Sequence, residues 1–186
     1  ELAPGQEVSL LGGNNVYDVQ IQVSDGTLTD TQAIAVTVTN VNDIVGTEGN
    51  DSLNGTTAKD TMSGLGGNDT LAGAADNDLL FGGTGNDSIT SGAGADTIDG
   101  GTGNDIINSG DGNDTIISAS GNDTIDAGAG NDTVTITAGT TSVNGGDGDD
   151  TITGGTDNDI LMGGAGADSI VAGTGNDNID GGDDAD

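Results

Sequence analysis

The 186-residue sequence contains no cysteine, histidine or tryptophan, and its aromatic residues are Tyr17 and Phe81 alone. Without cysteine, disulfide bonds cannot stabilise the fold. With so few aromatic side chains, a conventional core could hardly bury enough apolar area to offset chain entropy. We find no signal peptide and no apolar run near the roughly 20 residues that cross a bilayer as a helix. We therefore expect no membrane insertion, and a source of stability other than a large core.

Basic residues are almost as scarce: the sequence has one, Lys59, and 32 acidic residues, which gives a formal net charge of −31. Such a charge would repel itself in a compact state unless cations neutralise it, and it argues against nucleic acid as a partner. The same composition, with 37 glycines, is also that of an acidic disordered chain. The order of the residues has to decide between these two interpretations.

A nine-residue period begins at Gly46 and continues through Asp180 without insertion or deletion, giving fifteen complete units. In every unit the eighth position is apolar, and the sixth is aspartate except at Thr141. A disordered chain has no reason to keep two residue types at fixed phase, so the period favours an ordered repeat fold. The apolar column consists of Leu53, Met62, Leu71, Leu80, Ile89, Ile98, Ile107, Ile116, Ile125, Val134, Val143, Ile152, Leu161, Ile170 and Ile179.

The units resemble RTX, or haemolysin-type calcium-binding, repeats, as in GGTGNDSIT at 82–90, GGTGNDIIN at 100–108 and GGAGADSIV at 163–171. This resemblance implies an all-β fold, a right-handed parallel β-roll over residues 45–186 in which two units make one 18-residue turn. Glycines at positions one, two and four permit a sharp loop, and the last three residues form a short strand. Loops of alternate units then stack on two opposite flanks.

Calcium is the cofactor that the resemblance implies, with backbone carbonyls and aspartates from loops one turn apart as its ligands. A hard cation of this size takes about six to eight oxygens. Aspartates at i and i+18 are expected to share an ion, which gives a maximum of about twelve paired sites. We expect the Asp60 site to be weaker, because Ala58 and Lys59 replace the usual glycine and asparagine of its loop. The predicted ligands are Asp51, Asp69, Asp87, Asp105, Asp123, Asp159 and Asp177 on the first flank, and Asp60, Asp78, Asp96, Asp114, Asp132, Asp150, Asp168 and Asp186 on the second.

Residues 16–41 follow a different pattern, in which polarity alternates with a period of two. It predicts two strands joined by a turn at 24–27, with the alternating residues Tyr17, Val19, Ile21 and Val23 in the first and Ile34, Val36 and Val38 in the second. The string VYDVQIQVSDGTLTDTQAIAVTVTNVND resembles the end of a bacterial cadherin-like domain. Residues 1–44 are therefore expected to be the last strands of a partial β-sandwich. The resemblance also implies an interdomain calcium at Asn40, Asn42 and Asp43.

The preferred function is a structural calcium-folded module of a large secreted bacterial surface protein or adhesin. The RTX resemblance implies type I secretion, with folding outside the cell where calcium is about millimolar. Its expected partners are calcium ions, neighbouring domains of a longer chain and a cell-surface or matrix ligand. Without calcium, repulsion between carboxylates predicts a largely disordered chain.

Two alternatives remain open. The roll could be an accessory domain of a secreted protease, lipase or alginate epimerase. This chain itself is not expected to be an enzyme, because it has no histidine or cysteine and no serine beside a base. The second alternative is ice binding, because a regular polar row resembles that of calcium-dependent ice-binding rolls. The row is formed by Thr84, Thr102, Thr156 and Thr174 with Asn86, Asn104, Asn158 and Asn176.

Overall fold

The computed structural model describes residues 20–24, 29–33 and 43–183, in a chain that divides into two compact units, Glu1–Val41 and Asn42–Asp186. In the first unit, β1 (Gln20–Ser24) pairs antiparallel with β2 (Thr29–Ala33). Strand β1 overlaps the first predicted strand. Residues 34–38 of the second predicted strand lie outside the described residues, as do Tyr17, Val19, Asn40 and Asn42.

The described part of the second unit consists of two eight-stranded sheets, each with parallel strands. Successive strands along the chain belong alternately to one sheet and to the other. One sheet contains β4 (Ser52–Asn54), β6 (Thr70–Ala75), β8 (Ser88–Ala93), β10 (Ile106–Asp111), β12 (Thr124–Asp126), β14 (Ser142–Asp147), β16 (Ile160–Ala165) and β18 (Asn178–Gly182). The other contains β3 (Asp43–Val45), β5 (Thr61–Gly66), β7 (Leu79–Thr84), β9 (Thr97–Thr102), β11 (Thr115–Ser120), β13 (Thr133–Ala138), β15 (Thr151–Thr153) and β17 (Ser169–Val171).

Each strand pairs in register with the strand one 18-residue turn away. In one sheet, Ile107 lies between Ile89 and Ile125, and in the other Ile116 lies between Ile98 and Val134. The predicted all-β parallel β-roll of about 18 residues per turn is therefore confirmed. The described residues contain no helix.

The core is a narrow double row of aliphatic side chains between the two sheets. Its members come from position eight of each unit, and those from Met62 to Leu161 are almost completely buried. Position nine points outward and position one points inward again, so Ala127 and Ile136 at position one also join the core. One or two aliphatic residues per unit make a core only one side chain deep. The remaining interior belongs to the loops and their carboxylates.

The roll begins at β3, which includes Asp43 and Ile44, residues that the sequence analysis assigned to the preceding domain. Ile44 lies opposite Met62, one turn later, and so extends the apolar column by one unit. The position that carries aspartate in later units is Asn42 in this one. The repeat signal is therefore weaker there than from Gly46 onward.

Candidate metal centre

The loops at the two flanks are tight turns that stack directly on one another. Gly103, at position four, has a φ of 129°, which residues with a side chain rarely adopt. A Cβ at this position would also collide with the carbonyl of Gly85, one turn earlier. The Gly103 N–H donates a 2.9 Å hydrogen bond to the carbonyl of Ser120, one turn later. Glycine at this position therefore allows successive loops to approach within hydrogen-bonding distance.

Asparagines at position five link the same loops through their side chains. The backbone N–H of Asn86 donates to Oδ1 of Asn68 at 2.8 Å, and that of Asn104 donates to Oδ1 of Asn86 at 2.7 Å. Asn122 continues the series by donating to Asn104 at 2.8 Å. This asparagine ladder holds each loop in register with the next. The sequence analysis had assigned no structural role to these asparagines.

The aspartates at position six point into the roll, and one oxygen of each links two turns. The backbone N–H of Asp69 donates to Oδ1 of Asp87 at 2.8 Å, and that of Asp87 donates to Oδ1 of Asp105 at 2.9 Å. The structure thus brings together the aspartates at i and i+18 in every predicted pair within residues 43–183. The other linked pairs are 51–69, 105–123, 159–177, 60–78, 78–96, 96–114, 114–132, 132–150 and 150–168. Asp186 lies outside the described residues.

The second oxygen, Oδ2, is buried in most loops without a hydrogen-bond partner among the described residues. Burying an ionised oxygen without a partner is costly, so this arrangement requires either protonation or a cation. The carboxylates with such an oxygen are Asp69, Asp78, Asp87, Asp96, Asp105, Asp114, Asp132, Asp150, Asp159 and Asp168.

A space beside Oδ2 is left open by glycine at position one. A Cβ built on Gly73 would lie 2.5 Å from Oδ2 of Asp78 and 2.7 Å from the carbonyl oxygen of Ser91, in the next turn. At Gly46 the corresponding distances, to Oδ2 of Asp51 and the carbonyl of Gly64, are both 2.8 Å. Oxygens of two successive loops therefore converge on a space that a side chain would fill. Carboxylate and carbonyl oxygens converging in this way fit a hard cation such as calcium.

Comparison with protein-family models matches the RTX calcium-binding nonapeptide repeat at residues 45–80, 72–107, 99–134, 135–170 and 162–186. The chain belongs to this RTX repeat family. RTX repeats are calcium-binding structural modules and are typical of secreted bacterial proteins. A search of curated proteins found no match. Among the described residues, no helix is long and apolar enough to cross a membrane.

In these RTX repeats the carboxylates alone do not make a metal site. Within residues 43–183, no group of three or more aspartate or glutamate side chains is placed to hold an ion together. A calcium site here would need further oxygens, and loop carbonyls lie where they could supply them, as the Ser91 carbonyl does beside Asp78.

Burial raises the pKa of seven of the RTX carboxylates. It is the largest influence on the pKa of Asp105, which rises from the ordinary 3.8 to about 7. The hydrogen bond from Asp87 opposes this rise, and the charges of Asp123 and Asp87 add to it. Burial likewise raises the pKa of Asp78 and Asp132 to about 6. The pKa shifts in the same direction, for the same main reason, at Asp87, Asp114, Asp150 and Asp159. Protons and cations therefore compete for these oxygens.

The first two RTX loops satisfy their carboxylates differently, with threonine in place of glycine at position two. Thr47 donates to Oδ2 of Asp51 from its backbone N–H at 2.6 Å and from its hydroxyl at 2.9 Å. Thr56 does the same for Asp60, at 2.6 Å and 3.1 Å. Sequence reasoning missed these contacts, although threonine at a position that is glycine in most later units was the available signal.

Two further RTX loops on the first flank also depart from the common arrangement. The hydroxyl of Ser118 donates to Oδ2 of Asp123, so that oxygen has a partner. In the next loop Thr141 stands in place of aspartate and is itself buried. Near the end of the described residues, Asp177 accepts the N–H of Asp159 at 3.0 Å and is only partly buried.

Proposed function

We propose that this chain is a structural module that folds on binding calcium, with ions held between successive loops on both flanks of the roll. The observation that carries this proposal is the row of buried Oδ2 atoms without a partner among the described residues, six of which converge with a carbonyl of the next turn. The principal ligands are the ten aspartates with such an oxygen. Asp51, Asp60, Asp123, Asp177 and Asp186 complete the predicted set and are proposed as weaker contributors.

Calcium, when bound, supplies the positive charge that the interior of this roll lacks. The chain's own residues have separate roles in each proposed site. Oδ1 of these aspartates fixes the loop before it, Oδ2 faces the ion, and a small residue at position one, glycine in most units, leaves room. The aliphatic core is thin, and the net charge of −31 opposes compaction, so the core alone does not hold the loops together without cations. Binding and folding are therefore one equilibrium.

The proposed setting is a large secreted bacterial surface protein or adhesin, exported by type I secretion and folding outside the cell. Membership of a family typical of secreted proteins supports this setting. The antiparallel pairing of β1 with β2 is consistent with the last strands of a cadherin-like sandwich ahead of the roll. Low cytosolic calcium would keep the chain unfolded for export, and about millimolar calcium outside would fold it. An accessory role beside a secreted enzyme is the alternative.

Ice binding is a second candidate, favoured by one feature of the first flank. Thr84 lies in register with Thr102 and both are exposed, as are the neighbouring Asn86 and Asn104. The asparagine ladder fixes this row at the spacing of the turns. The row is interrupted at Ser120, Ala138 and Thr140, so it is short. Thermal hysteresis in calcium, compared with a Thr84→Val/Thr102→Val variant, tests it: an equal effect on both proteins excludes this row.

The main proposal is tested by far-ultraviolet circular dichroism of the whole chain during calcium titration. We expect a large gain in β signal with calcium, reversed by chelation, and little gain with magnesium, which requires a smaller and stricter octahedral site. Folding in a chelator at neutral pH, or an equal response to both metals, would contradict the proposal. Counting bound ions in the folded protein then gives the stoichiometry.

A further inference from the structure

The unit 136–144 differs from the other complete units at two buried positions, one and six. Position one is Ile136, and position six is Thr141 instead of aspartate. Ile136 is 2% exposed and belongs to the aliphatic core, and Thr141 is 1% exposed. The Thr141 hydroxyl has no hydrogen-bond partner among the described residues. A small residue and a carboxylate of the loop interior are thus replaced together.

At positions six and eight the backbone of this unit pairs as it does in its neighbours. The N–H of Thr141 donates to Oδ1 of Asp159 at 2.9 Å, as an aspartate in its place would. The N–H of Ile160 donates to the Thr141 carbonyl at 2.9 Å, and Val143 pairs with Ile125 and Leu161. The unit is therefore part of the same roll.

Comparison with a unit that has both usual residues shows what Ile136 displaces. At Gly82, a Cβ would stand 2.6 Å from Oδ2 of Asp87, in the space where oxygens of two loops converge. Ile136 fills the equivalent space with an aliphatic side chain. A small residue is tolerated there in another loop: Ser91 leaves Oδ2 of Asp96, in its own unit, without a partner among the described residues.

We propose that unit 136–144 is a metal-free unit in which Ile136 and Thr141 form an apolar plug where the other loops take calcium. This inference rests on the proposed function, because it concerns where the ions are absent. A threonine hydroxyl provides no negative charge, and the isoleucine excludes a cation from the space beside it. Apolar contact with the core stabilises this loop in place of the ion. The first flank therefore has two separate groups of sites, whereas the aspartate column of the second flank is continuous.

The plug predicts that both residues must change before a site appears. Thr141→Asp alone places a carboxylate against Ile136, with no space for a cation. Ile136→Gly alone opens the space but provides no charge. Ile136→Gly/Thr141→Asp restores both features, and its new carboxylate would lie one turn from Asp123 and Asp159.

The experiment counts calcium bound to the whole folded chain, by native mass spectrometry and by elemental analysis after gel filtration. Wild type, both single variants, the double variant and the conservative control Ile136→Val are compared, with circular dichroism as the check of folding. We expect at least one additional ion per chain in the double variant, and none in the single variants or the control. A folded double variant with the wild-type number of ions would overturn the plug, as would a gain in Thr141→Asp alone. A wild type that binds no calcium would instead contradict the proposed function.

The reverse exchange tests the plug even if the double variant does not fold. Ala127→Ile/Asp132→Thr moves both residues to a unit whose aspartate has a buried Oδ2 without a partner among the described residues. Position one of this unit already has a side chain, which is buried in the core, so the backbone accepts a Cβ there. We expect this variant to fold in calcium with at least one ion fewer than wild type. Asp132→Thr alone should lose the same ion and melt at a lower temperature, because its loop has neither ion nor plug. Equal melting of the two variants would count against the plug.

Discussion

At the scale of single residues, the two oxygens of each position-six aspartate have different roles. Oδ1 of Asp105 accepts the backbone N–H of Asp87 at 2.9 Å, whereas Oδ2 is buried without a partner. Replacing this residue by asparagine keeps an oxygen that can accept the N–H and removes the charge. An Asp→Asn change therefore separates the structural role of the side chain from its proposed role towards the ion.

We predict that Asp105→Asn raises the calcium concentration at the folding midpoint and lowers the stability of the loaded protein by roughly 1.5–3 kcal/mol, the range for interactions with a charged group. Circular dichroism during calcium titration measures the midpoint, and urea unfolding in saturating calcium measures the stability. Asp111→Asn is the matched control, because it removes the same charge from an exposed position at the end of β10. A shift of equal size in the control would show that only net charge matters.

The raised pKa values predict how the calcium-free chain responds to pH. An aspartate with an ordinary pKa of 3.8 and a folded-state pKa of about 7, as at Asp105, binds more protons when folded throughout the interval between these values. Asp78 and Asp132, with pKa values of about 6, act in the same direction. The contribution to stability is therefore fully present below pH 3.8 and is lost as pH rises towards 7.

We accordingly expect the chain in chelator to gain β signal when the pH is lowered from 7.5 to about 4.5. In calcium the dependence should reverse, because protons displace the ion. Circular dichroism at a series of pH values, with and without calcium, measures both curves. A calcium-free chain whose β signal is unchanged across this range would show that protonation cannot replace the cation.

At the scale of single elements, most of the strands and few of the loop contacts could be predicted from the sequence. An uninterrupted period of nine sets the register, so the pairing of Ile107 with Ile89 follows directly from the apolar column. The buried aspartates follow from the same period. The roles of Thr47, Thr56 and Ser118 could not be predicted, because they depend on which neighbouring oxygen each hydroxyl reaches in three dimensions. Composition gives no information about which oxygen a hydroxyl will reach.

In the first loops of the roll, Thr47 and Thr56 donate hydrogen bonds to the carboxylates of Asp51 and Asp60. We predict that Thr47→Val/Thr56→Val, which removes both hydroxyls at nearly constant volume, destabilises the loaded protein by about 1 kcal/mol for each lost bond. Thermal unfolding in saturating calcium measures the change. Thr57→Val is the control, since Thr57 is exposed in the same loop as Thr56. The number of bound ions should stay unchanged, and a loss of ions would show that these hydroxyls help to hold ions at the weaker sites.

At the scale of the whole molecule, the described roll is a linear stack in which each turn pairs only with the turns before and after it. Stability in such a stack is approximately a sum over turns and their interfaces. A defect in the middle therefore interrupts pairing on both sides, whereas the same defect near an end releases only the last turn. Two glycines at the same loop position allow this difference to be measured with one kind of substitution.

Gly103 and Gly175 both have positive φ, 129° and 150°, and a Cβ at either would collide with a carbonyl of the preceding turn. The local strain of Gly→Ala is thus matched, and only the place in the stack differs. We predict that Gly103→Ala lowers the melting temperature in saturating calcium and removes a large part of the β signal, while Gly175→Ala removes about one turn's share. Circular dichroism with hydrogen exchange locates the loss, which in Gly175→Ala should be confined to the last strands, β17 and β18. If both variants lose protection throughout residues 43–183, the roll unfolds as one cooperative unit, and calcium joins its turns more tightly than neighbour-by-neighbour stacking requires.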